Sequence, residues 1–220
     1  MTAAINMLDV RKSILPLRLI FWGALLCIID ITFTITTNGQ GFQLDIFDDT
    51  VGTILIAFGV SRLASMQVHR KYTSVMRFVQ TIAILSILDS IRAHFVTPLP
   101  NELIIIINLF QIIMLAAIIS FIIAMRWFCD KAGLVMSSRS WRTSKFLFIW
   151  IYLFPLGIWY LISIVATAIS KPFSIDLGLA WPFLLPVLFL LFVILLIPFI
   201  HLFITTSRMM REARKASQDL

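Results

Sequence analysis

Two aspartates stand inside apolar runs, Asp30 in LCIIDI and Asp89 in LSILDS. A carboxylate at membrane depth costs at least about 2.5 kcal/mol, so it marks either a working site or a built partnership. Facing each other across a helical bundle, the pair would make a proton or cation site. The structural alternative joins Asp30 to Arg92, or has a protonated Asp30 bonded to Thr34 and Asn108. Such interhelical contacts are worth roughly 0.6 to 2 kcal/mol each. Ser86, Asp89 and Arg92 follow one another at i+3, so Asp89 can also pair with Arg92 on its own helix. No further acidic residues extend a relay through the membrane, which favours the structural alternative.

Other chemistries find less support. The three histidines, His69, His94 and His201, sit near opposite membrane faces and cannot converge on zinc. Asp45, Asp48 and Asp49 lack the spacing and glycine of a calcium loop, and Asp48 or Asp49 is better placed to cap a following helix. Neither Asp30 nor Asp89 has the glycine-flanked setting of an intramembrane aspartyl protease, and no glycine-rich phosphate loop is present. The expectation is a non-enzymatic protein without metal or cofactor. Cys27 and Cys129 are expected as thiols.

The elements that position these residues follow from hydropathy. Of 220 residues, 60% are hydrophobic and 13% charged, with mean hydropathy +0.99. The apolar residues fall in runs of about 20, the length that crosses a hydrocarbon core of roughly 30 Å. The runs span 17–37, 50–64, 74–96, 103–128, 146–169 and 179–204, which predicts an all-α polytopic bundle of six spans. Residues 1–207 form one membrane domain, and 208–220 form a basic tail that lies on anionic headgroups. The basic start and first apolar run are read as an uncleaved span, because Asp30 interrupts the run and no small-residue cleavage site closes it.

Sixteen of the 18 Lys and Arg residues fall in the N-terminus, alternate connections and the tail, leaving Arg92 and Lys171 opposite. Cytoplasmic loops carry such an excess, so both termini are predicted to be cytoplasmic. The net charge of +7 therefore faces anionic headgroups, and no nucleic-acid partner is expected. The second run is the weakest span, since fifteen residues rise only about 22 Å. Trp127 and Trp141 bracket the fourth connection, and Trp181 opens the sixth run, at headgroup level. Pro155, Pro186 and Pro198 fall inside apolar runs and predict kinks.

Small residues predict where helices touch. Gly23, Cys27, Asp30, Thr34 and Thr37 would share one face of the first helix. Gly52 and Gly59 on the second, and Ala116, Ser120 and Ala124 on the fourth, allow close backbone approach.

The segment DIFDDTVGTILIAFGVSRLA, with Asp49, Gly52 and Gly59, resembles a hairpin of uncharacterised bacterial multi-pass membrane proteins. In those proteins Pro-Asp precedes an apolar stretch with two spaced glycines, and Asp48 here replaces the proline. The resemblance covers about twenty residues and implies a bacterial inner-membrane setting with no known activity. Two functions are carried forward. One is a membrane-complex component that packs with lipid, another membrane protein or itself, and the other is a small transporter or channel using Asp30 and Asp89.

Overall fold

The computed structural model describes residues 7–27, 32–37, 40–45, 49–66, 68–96, 99–169 and 181–216. Helices dominate: α1 Met7–Lys12, α2 Ile14–Leu26, α3 Asp49–Ala64, α4 Arg70–Ala93, α5 Asn101–Ala132, α6 Val135–Leu147, α7 Phe154–Ala168 and α8 Trp181–Ala216. Among the described residues, three segments are long and apolar enough to cross a membrane, Arg70–Ala93, Asn101–Ala132 and the continuous Val135–Ala168. At 1.5 Å per residue they reach about 36, 48 and 51 Å.

The first apolar run departs from the expected single helix. Helix α2 ends at Leu26, and Thr32–Thr37 forms strand β1, paired antiparallel with β2 (Gln40–Asp45). Strand β2 pairs in turn with β3 (Phe95–Val96), placing Phe42 opposite Phe95. TFTITT is rich in β-branched residues with threonine at alternate positions, a pleat pattern instead of a helical one. Thr34 and Thr37 therefore leave the helix face on which they were expected with Gly23 and Cys27, and Thr34 lies opposite Gln43.

Helices α2 and α3 pack backbone to backbone. A Cβ built on Gly52 would lie 2.5 Å from the Cys27 sulfur and 2.8 Å from the Gly23 carbonyl oxygen. One on Gly59 would lie 2.6 Å from the Pro16 carbonyl oxygen, and one on Gly23 would lie 2.5 Å from that of Gly52. Residues 16, 20, 23 and 27 thus form one seam and 52, 56 and 59 the other, running in opposite directions. At 13 and 16 residues these helices rise only about 20 and 24 Å.

Helix α5 stops at Gly133, whose φ of 72° is left-handed and whose N–H bonds to the Cys129 carbonyl. The polar-looking connection that follows is helix α6. It runs through a π-helical turn, Phe148–Leu153, into α7. Pro155, the second residue of α7, lacks the N–H needed for a regular ladder, and the wider turn immediately before it accommodates that loss.

Buried side chains concentrate toward the basic end of the bundle. Leu17, Leu63, Tyr72, Met76, Ile122, Met125, Phe128, Cys129, Trp141, Phe148, Met209 and Ala213 are essentially inaccessible. Trp141, expected at headgroup level, is 0% exposed, stacks edge-on with Phe121 and donates its indole N–H to the Met209 sulfur at 3.4 Å. Toward the opposite end the bundle turns apolar residues outward, among them Leu88, Ile106, Trp159, Leu161 and Val165. Along α5 the buried stripe is Ala117, Phe121, Ala124 and Phe128, while Ala116 is exposed and Ser120 half-buried. Large aromatic rings at 121 and 128 claim the facing groove, so only Ala124 of the expected small-residue stripe is enclosed.

Candidate functional site

Asp89 lies near the C-terminal end of α4, its side chain 22% exposed. One carboxylate oxygen accepts from Arg92 Nε at 2.9 Å, and the other accepts from Gln111 Nε2 on α5 at 3.0 Å. Near Gln111 on α5, Asn108 donates to the Ile104 carbonyl at 2.9 Å and to Ser163 Oγ on α7 at 3.2 Å. Neighbouring residues on a helix point about 100° apart, so Ser90 faces α3 while Asp89 faces α5. Ser90 donates to Thr50 Oγ1 at 2.8 Å, and Thr50 also meets His94 Nε2 at 3.0 Å. Polar contacts thereby tie α4 to α3 on one side and to α5 on the other, with α7 reached through Asn108.

The chemistry of this arrangement is neutralisation. A guanidinium one turn away and an amide from the next helix each engage one carboxylate oxygen, so the charge is met where water is scarce. Of the residues the sequence singled out, Asp89 and Arg92 meet directly and Asn108 joins α5 to α7, while Gln111 of α5 supplies the second partner of Asp89. Asp30 lies outside the described residues, as do Asp48, Lys171 and Asp176. Thr34 belongs to β1. Comparison with protein families, curated proteins and solved structures returns no match.

The histidines serve three separate places. The His69 ring accepts from the Tyr72 amide at 3.0 Å and caps α4, His94 meets Thr50, and His201 meets Ser144 at 2.9 Å. Among the described residues, no three His, Cys, Asp or Glu side chains gather as a metal site would require. Both cysteines are thiols, with Cys129 packed against the Met209 sulfur at 3.6 Å.

A second polar assembly, between α6 and α8, escaped the sequence reading. Ser140 and Ser144 meet Thr205 Oγ1 at 2.8 and 3.1 Å, and Arg208 donates to Ser140 Oγ at 3.3 Å. Glu212 accepts from both the Ser137 amide, at 3.0 Å, and the Ser137 hydroxyl. Ser137, Ser144 and Thr205 are 0% exposed. The signal was present: serines at 137, 140 and 144 keep a three-four spacing, and His201, Thr205, Arg208 and Glu212 answer at four, three and four. Arg139 and Arg142 between the serines, with Lys145 after them, masked it as a loop. Helix α8 runs unbroken past residue 207 to Ala216. Its last turns bury Met209 and Ala213 while Arg211, Arg214 and Lys215 face outward.

Proposed function

We propose that the chain is a non-enzymatic integral membrane protein, a component that packs with lipid and with another membrane protein or a second copy of itself. The observation that carries this reading is the double engagement of Asp89 by Arg92 and Gln111. A carboxylate serving ion passage needs an exchangeable coordination position facing a path, whereas this one is committed to a cation and an amide that also join two helices.

Six spans with both termini at the cytoplasmic face of a bacterial inner membrane form the topology of this proposal. Pairing of β2 with β3 supports it by drawing the first and third connections to one end. The contact of Glu212 with Ser137 supports it from the other end, where the fourth connection meets the α8 terminus. Arginines and lysines crowd that second end, as anionic cytoplasmic headgroups require.

The competing reading is a small transporter working through Asp30 and Asp89. Reconstitution in liposomes with an enclosed pH-sensitive dye separates the two. The expected result is no proton or cation flux above that of empty liposomes, with Asp30→Asn and Asp89→Asn unchanged. Flux that either substitution abolishes, in protein that still inserts and folds, would establish transport and overturn the component reading. Purification in mild detergent is expected to retain a stable protein partner or a homo-oligomer.

A further inference from the structure

The cytoplasmic end of the α2–α3 pair carries a cleft of about 630 Å³ lined by Arg11, Lys12, Leu15, Pro16, Arg62, Ser65 and Met66. Its cations come from segments fifty residues apart in sequence, the end of α1 and the last turn of α3. They converge because Gly59 seats α3 directly on the Pro16 carbonyl. We infer that this cleft binds the phosphate of an anionic phospholipid, with Arg11, Lys12 and Arg62 around the headgroup and the acyl chains descending along α2.

The composition of the cleft distinguishes a lipid from other phosphates. Leu15, Pro16 and Met66 supply an apolar wall beside the cations. Leu15 and Trp22, two turns apart on α2, are 49% and 52% exposed and continue an apolar path away from the cleft. Ser65 already donates to the Arg62 carbonyl at 2.8 Å, so the cations carry the recognition. Arginine forks suit the paired oxygens of a phosphodiester. Two other basic clefts among the described residues lack one half of this combination. That of Arg126, Arg139 and Arg142 includes Asp130, which opposes an anion, and that of Arg70 and Arg77 is otherwise lined by Thr73 and Ser74.

This inference deepens the component reading by naming the lipid class, and its test is independent of ion flux. Full-length protein is delipidated in mild detergent and titrated with phosphatidylglycerol, and bound lipid is counted by native mass spectrometry. Phosphatidylglycerol is expected to bind with a defined stoichiometry, and phosphatidylcholine much more weakly. The double variant R11Q/R62Q should weaken binding by about tenfold to thirtyfold. R11K/R62K should recover only the part of the loss that charge alone carries, because lysine lacks the bidentate fork, and R70Q/R77Q should stay within about twofold of the parent. The four arginines are exposed, so these changes leave the packed core alone, and coincident gel-filtration profiles verify it. Equal binding of both lipids, or equal weakening by R70Q/R77Q, would reduce the cleft to general surface charge and overturn the proposal. Displacement of the lipid by inorganic phosphate at matched concentration would overturn the lipid assignment in favour of a free phosphate.

Discussion

Glu212, near the end of the last helix, accepts both the backbone N–H and the hydroxyl of Ser137 in the first turn of α6. Seventy-five residues separate the two. One carboxylate thus meets an amide that α6 cannot satisfy internally and fastens the terminus of α8 to the bundle. Met209 and Ala213, beyond residue 207, are consequently part of the packed structure.

Replacing Glu212 with alanine leaves the Ser137 amide and hydroxyl without that acceptor in a site closed to water. The expected loss is about 1–3 kcal/mol, measured by equilibrium unfolding in mixed micelles. Limited proteolysis should cut the α8 terminus faster than in the parent. Arg214→Gln, on the outward face of the same turns, is expected to change neither measurement.

Thr205 is the hub of the α6–α8 seam, touching Ser140, Ser144 and His201 through one hydroxyl. Thr205→Val keeps the shape and removes the hub, so two buried serines lose a partner. A destabilisation of about 1–3 kcal/mol is expected, against less than about 0.5 kcal/mol for exposed Thr143→Val. Equal effects in the two variants would deny the seam its role.

The α2–α3 contact makes a prediction in opposite directions for two glycines. Gly52→Ala forces the helices apart, because its Cβ would sit 2.5 Å from the Cys27 sulfur with the Gly23 carbonyl behind. Overpacking of this kind costs typically about 1–3 kcal/mol. Gly157→Ala meets nothing within 4 Å and should stabilise α7 by up to about 1 kcal/mol through helix propensity. The sign difference is readable from paired unfolding midpoints.

Asp89 and Gln111 should show energetic coupling across the α4–α5 interface. A double-mutant cycle with Asp89→Asn and Gln111→Leu is expected to give about 0.6 to 1.7 kcal/mol, the range for interhelical polar contacts in membranes. Additive single effects would place the two side chains out of contact. Asp89→Leu should cost more than Asp89→Asn, since it leaves the Arg92 guanidinium without its carboxylate.

Much of the architecture was legible because hydropathy is a property of individual residues and run length is local. The expected run 50–64 corresponds to helix Asp49–Ala64, and the fourth run lies within Asn101–Ala132. The intrahelical pairing of Asp89 with Arg92 was also local, fixed by a three-residue spacing. By itself the sequence determined a strongly apolar, helix-rich chain with its positive charge on alternate connections, and it marked glycines where helices could meet.

Only the tertiary structure decided how far α2 runs. Residues 32–37 form a strand because β2 offers them backbone partners, and β2 is itself paired with β3 some fifty residues later. It also decided that Gln111 of α5 meets the second carboxylate oxygen of Asp89. A polar side chain in a membrane must find a partner, and which partner lies within 3 Å depends on helix rotation and crossing, which sequence spacing does not encode. The serines of α6 make the same point, since a three-four spacing of small polar residues becomes a buried seam only when α8 supplies His201, Thr205, Arg208 and Glu212 opposite.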